Sequence, residues 1–279
     1  MLNVFRMHMF RVSKAKSTFV LAIIMIACLF IRFGLAHLIF DDPLNLEFAN
    51  VVVSGNPQKR AFTPSEVNAW CIQASSSLII CLTIFSVIFS NCDFTRGFAK
   101  NTYSLYKSRT PLVMGKWTAL MTCISAVYVV FSLFSLAFCA LLIPAFEARK
   151  WGEFVRGWIV LYILLISMMT LVFFITNRFK SPAGGMVIGI LIATGTFQTV
   201  ERLIDVLIAK ASGESLIDAF AGTGKAFRLS DYCLDNVYNA YSASMGTGDT
   251  IRTVVVALVY GGLALFLAVF LSKKQDVRC

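Results

Sequence analysis

Six stretches of the chain are almost uninterruptedly apolar: about 18–39, 70–90, 117–146, 155–177, 183–208 and 251–271. A helix needs roughly 20 apolar residues to cross a bilayer, so the pattern predicts six transmembrane helices. The third stretch is long. Pro111 suits a first helical position and Thr110 before it can act as cap, so this helix is expected to start ahead of the bilayer. The fifth is expected to end by about residue 208, or to stop near Thr199 and continue as a surface helix. The first is not expected to be a cleaved signal peptide. Its apolar run is too long and no small-residue cleavage motif follows it.

The segments between the runs are also patterned. In LNVFRMHMFRVSKAKS, Leu2, Phe5, Met9 and Val12 recur at helical spacing, while Arg6, Lys14 and Lys16 can reach anionic headgroups. Residues 1–17 are therefore expected to form an interfacial helix. The segment 201–250 is the longest loop, and ERLIDVLIAKASGESLIDAFA within it has helical apolar spacing broken at Ser212 and Gly213. It predicts short amphipathic helices on the outer leaflet. Asp249 or Thr250 then caps the last span.

Composition agrees with the pattern. The chain is 58% hydrophobic and 14% charged, with a mean hydropathy of +0.76, far from the roughly 45–50% apolar and 25% charged of soluble domains. The net charge of +10 does not imply nucleic acid, because the cations flank the apolar runs. Placing the N-terminus inside puts fourteen Lys and Arg in 1–17, 91–116, 178–182 and 272–279. Seven then fall in 40–69, 147–154 and 209–250. Basic residues favour the cytoplasmic side, so both termini are expected there, in a multi-pass protein of the plasma membrane.

Familiar chemistry is missing. AGTGKAF at 221–227 lacks the spacing and the hydroxyl residue of a phosphate-binding loop, and HExxH, GxSxG and CxxC do not occur. No metal ligand set and no catalytic residue is expected. Cys28, Cys81, Cys123 and Cys139 fall in apolar runs and read as packing residues, while Cys71 and Cys233 are both expected near the outer face, where pairing is one option. His37 reads as an interfacial residue. Glu201, Arg202 and Asp205 cluster near the outer end of the fifth run, with the two acids on one helical face. They form either a polar patch in an exit path or simply the point where a helix leaves the membrane.

The basic segment NCDFTRGFAKNTYSLYKSRTPLVMGK, residues 91–116, carries the most information. On a helical projection Phe94, Phe98, Asn101 and Leu105 share one side, and Arg96, Lys100, Tyr103 and Lys107 the other. Asp93 sits at the start, where an acid favours the helix dipole. Physics allows two readings: a surface helix on lipid headgroups, or a docking helix for a soluble partner.

The residues Asp93, Phe94, Gly97, Lys100 and Asn101, then Ser108 and Arg109, then Lys116 at the next span, resemble the permease subunits of type-2 ATP-binding-cassette exporters. Phe98 departs from the Thr frequent in that family. The layout is also similar over nearly the whole chain: six spans, cytoplasmic termini, an N-terminal interfacial helix and a long outer segment between spans five and six. The resemblance implies an all-α, polytopic membrane fold forming one permease domain over 1–279, with a cytoplasmic coupling helix in 91–110 and short outer amphipathic helices. Asp93, Phe94, Arg96, Gly97, Phe98, Lys100 and Asn101 would dock a separate nucleotide-binding ATPase subunit, which holds ATP and Mg. This chain would bind no cofactor. A second permease subunit, identical or homologous, would complete the pore in the lipid bilayer. The cargo would be amphipathic or hydrophobic: an antimicrobial or modified peptide, or a drug. A different class of function stays open, a membrane-embedded accessory or sensory protein that docks a non-ATPase cytoplasmic partner.

Overall fold

A computed structural model describes residues 2–41, 63–65, 77–95, 109–142, 150–179, 182–212, 227–242 and 245–274. Among them all regular structure is helical. The helices are α1 (Leu2–Lys14), α2 (Lys16–Asp41), α3 (Ser77–Thr95), α4 (Thr110–Leu142), α5 (Trp151–Phe179), α6 (Pro182–Ala193), α7 (Thr196–Ala211), α8 (Leu234–Ala240) and α9 (Thr247–Lys274). A short 3-10 turn, Ser230–Tyr232, precedes α8.

Three of these, α4, α5 and α9, are long and apolar enough to cross a membrane. Two bent pairs, α1 with the first part of α2 and α6 with α7, raise the number to five if each pair is one span. Part of the expected span at 70–90 lies outside the described residues, and α3 is described from Ser77. Large apolar side chains point outward, among them Ile23 and Phe30 on α2, Leu133 on α4, and Leu258 and Phe266 on α9. An outward apolar surface of this kind fits a membrane-embedded protein.

The central helix is α5. Leu161, Leu164, Leu165, Met168, Met169 and Phe173 are all buried along it, with α9, α3, α6, α4 and α8 packed around. Small residues bring the helices close, the usual device where apolar lipid gives no drive for helix association. A Cβ on Gly261 would sit 2.9 Å from Ser167 Oγ, and one on Gly189 only 2.6 Å from Thr83 Cγ2. Between α4 and α5 the contacts are also polar. Tyr128 OH donates to the Trp158 carbonyl (2.8 Å), Trp158 Nε1 to Ser132 Oγ (3.1 Å), and Trp117 Nε1 to Thr170 Oγ1 (3.1 Å).

The last span begins at Thr247, so Asp249 and Thr250 lie inside its first turn and neither is its cap. Three further features differ from the sequence reading. First, α4 includes Thr110, and the Arg109 carbonyl accepts from Leu112 and Val113. Second, α1 turns Val4 and His8 into the core with Phe5, Met9 and Val12 beside them, while Leu2 is exposed. Third, the fifth apolar run is not continuous. It breaks at Thr194–Gly195, where Gly195 takes φ 71° and the axis bends by 60°. That left-handed backbone suits a residue without a Cβ. Here a Cβ would also lie 3.0 Å from Asn239 Nδ2.

Candidate functional site

Two clusters of charged side chains stand out. The first joins α1, α3 and α4. Near the end of α3, Asp93 accepts from Arg11 Nη1 at 2.6 Å and from Lys116 Nζ at 2.8 Å. Lys116 also donates to the Ser90 carbonyl at 2.7 Å. Both Asp93 and Lys116 are largely shielded from solvent. Burial alone would raise the Asp93 carboxyl. The Lys116 ammonium, with Arg11 behind it, outweighs that effect and holds it below its ordinary value.

His8 completes this joint. Its ring is buried, packs 5.5 Å from Phe89, and has no hydrogen-bond partner at Nδ1. Burial pushes the imidazole down to about 4. Asp93 opposes the shift, and Lys116 and Arg11 add to it. Nearby, Arg109 Nη1 donates to the Ser272 carbonyl at 3.4 Å, tying the start of α4 to the end of α9.

The second cluster surrounds the break in the fifth run. It borders a cavity of about 260 Å³. Glu201 of α7 and Asp235 of α8 reach it, with the Cys233 thiol and the Tyr260 ring beside them. Tyr260 lies at the middle of α9, and Leu171, in the second half of α5, forms part of the wall. The cavity is thus set along the lengths of these helices rather than at their ends. Glu201 Oε2 and Asp235 Oδ2 are buried with no hydrogen-bond partner. The backbone around them is well tied: Gln198 Nε2 donates to the Asp235 carbonyl at 3.0 Å.

Known protein families and characterised proteins give no match to this chain.

The structure treats the expected residues unevenly. Asp93 faces inward, onto Arg11 and Lys116. Phe94 lies in the last turn of α3. Arg96, Gly97, Phe98, Lys100 and Asn101 fall outside the described residues, as does most of the coupling segment. In the outer patch the three charged residues part company. Asp205 accepts from the backbone N–H groups of Leu229 (2.6 Å) and Ser230 (3.3 Å), pinning the 3-10 turn. Glu201 enters the cavity, while Arg202 is exposed. On α7, Asp205 is buried while Leu203 and Leu207 face outward.

His8, Arg11, Cys233, Asp235 and Tyr260 were not read as site residues from the sequence. A signal existed for His8 and Arg11, which share a helical face with Val4 at i, i+4 and i+7. Asp235 sits in a mixed polar segment, LSDYCLDNVYNA, which gives no signal for it. Cys233 carries a free thiol, and its suggested partner Cys71 lies outside the described residues. Among the described residues no group of His, Cys, Asp and Glu could hold a metal ion.

Proposed function

We propose that this chain is the membrane-spanning permease subunit of an ATP-driven exporter of the type-2 ATP-binding-cassette kind. A separate nucleotide-binding subunit supplies the energy, and the cargo is amphipathic or hydrophobic. The observation that supports this reading best is the joint at Asp93. The basic segment 96–108 lies in sequence between Asp93 and Lys116, and those two residues are 2.8 Å apart. A partner that pushes on the segment therefore pushes on a closed loop. The ion pairs to Arg11 and Lys116 carry that displacement into α1, α3 and α4 together, and the α4–α5 hydrogen bonds carry it onward. In this reading Phe94, Gly97, Phe98, Lys100 and Asn101 contact the ATPase, Arg96 among them, while Asp93 positions the segment from within.

The same reading puts both termini and the basic segment in the cytoplasm, six spans in the plasma membrane, and a second permease chain against the exposed apolar faces. The test is recovery of partners from detergent-solubilised native membranes, with the native chain beside a Phe94→Ala, Lys100→Glu variant. A nucleotide-binding subunit that comes with the native chain and is lost with the variant is the expected result. Its absence from both, with the chain intact, overturns the exporter in favour of an accessory role. Cysteine labelling should find residues 56–60 outside and 107–109 inside, and the reverse pattern would sink the topology.

A further inference from the structure

The cavity between α5, the broken α6–α7 pair, α8 and α9 has an unusual balance of charge. Asp235 is 7% exposed, and its Oδ2 has no hydrogen-bond partner. Glu201 Oε2 is in the same condition. Among the described residues no Lys, Arg or His lines the cavity. Asp205 cannot serve, since its carboxylate is engaged by the Leu229 and Ser230 backbone. The remaining wall is apolar and aromatic: Leu171, Ile192, Phe197 and the Tyr260 ring. Glu201 and Asp235 face each other and the Cys233 thiol, each keeps one buried oxygen without a partner, and two acids so close in an apolar membrane protein favour a positive charge beside them.

We infer that this cavity binds the ammonium head of an alkylamine, with Glu201 and Asp235 as its acceptors and the apolar wall around its chain. The inference deepens the exporter reading, on which it rests, by giving the cargo a cationic head. Three features fit. Each acid offers an ammonium one oxygen that accepts from no protein group, Glu201 Oε2 and Asp235 Oδ2. The Tyr260 ring adds a face that attracts cations. The volume, about 260 Å³, exceeds the ~150 Å³ that holds a benzene, so it admits roughly seven to ten heavy atoms. A break in a spanning helix that opens onto a cavity is also where irregular backbone is tolerated at membrane depth.

Cys233 is a built-in reporter, because its free thiol lies in the cavity wall. The experiment follows modification of Cys233 by methyl methanethiosulfonate in the purified full chain, read by peptide mass spectrometry. Hexylammonium and hexanol serve as probes at equal concentration. Hexylammonium is expected to slow modification about tenfold more than hexanol, the scale of one hydrogen bond to a charged group. Glu201→Gln with Asp235→Asn should remove that difference, and Arg202→Gln should keep it. A single Glu201→Gln serves if the double variant does not fold, and should weaken the difference.

Equal protection by both probes would overturn the proposal and leave an apolar cavity. So would no protection by either, which is the result if the two carboxyls share a proton. The reagent reacts with the thiolate alone, so if Cys233 is modified too slowly to follow, the two probes are compared by their shifts of the thermal midpoint, and equal shifts would overturn the proposal. The partner-recovery experiment is independent of these variants. An ATPase recovered without hexylammonium protection removes the cationic head and leaves the exporter. Protection without any ATPase leaves the site and removes the exporter.

Discussion

Asp93 and Asp235 are both buried acids in an apolar protein, yet their surroundings are opposite. Asp93 meets Arg11 at 2.6 Å and Lys116 at 2.8 Å. Asp235 keeps an oxygen with no donor among the described residues, and its charged neighbour is a second acid, Glu201. The first acid has its countercharge supplied by the chain itself, so it fastens helices together. The second has its countercharge left to come from elsewhere, so it is available for binding. Burial alone does not separate a structural acid from a functional one. The state of its partners does.

The contrast can be broken most directly at Asp93. Asp93→Ala removes the acid that Lys116 and Arg11 share, and breaking a buried pair from one side costs about 3–5 kcal/mol. The unfolding midpoint in detergent should fall sharply, and α1 should become a protease target. An unchanged midpoint would mean that the joint is not structural.

Acid should act on the same joint through His8. Its folded value is about 4 against an ordinary 6.5. Between those values the released chain holds a proton that the docked helix refuses. The docking of α1 is therefore complete above pH 6.5 and weakens as pH falls towards 4, by on the order of 3 kcal/mol in full. His8→Phe should remove this pH dependence in hydrogen exchange of Leu2–Lys14. If the native helix shows no such dependence, the imidazole is not held neutral.

Gly189→Val comes next. A side chain there meets Thr83 Cγ2 at 2.6 Å, and overpacking of that kind costs about 1–3 kcal/mol. Paired with Thr83→Ala, the loss should shrink, which a thermal melt of the two variants checks. The smallest effect belongs to Asp235→Asn. Removing an uncompensated buried charge should cost under about 1 kcal/mol or add stability. A loss as large as that of Asp93→Ala would show a hidden partner and erase the contrast.

The helices were legible because length and apolarity are local properties. Runs at 117–146, 155–177 and 251–271 emerge as α4, α5 and α9 with ends only a few residues away. The break at Gly195 was not legible: a Thr-Gly-Thr run inside apolar sequence is compatible with a straight helix until the fold bends it. Asp93 and Lys116 were singled out as parts of one motif. Their contact with each other, and with Arg11 from 82 residues away, depends on how α1 packs on α4. Glu201 was noted, but only the fold brings Asp235 beside it. Sequence patterns report which face is apolar. They do not report which distant groups will share a buried space.

The docking of α1 on α4 has a further consequence for biogenesis. Residues 2–14 are translated well before the helix that receives them, and Met9 ends against Cys123, 114 residues later. During synthesis α1 has no protein surface to occupy, and its cations must rest on lipid headgroups. Seating of α1 is therefore a late assembly event. It follows synthesis of α4 and closes the joint only once Asp93 and Lys116 are both in place.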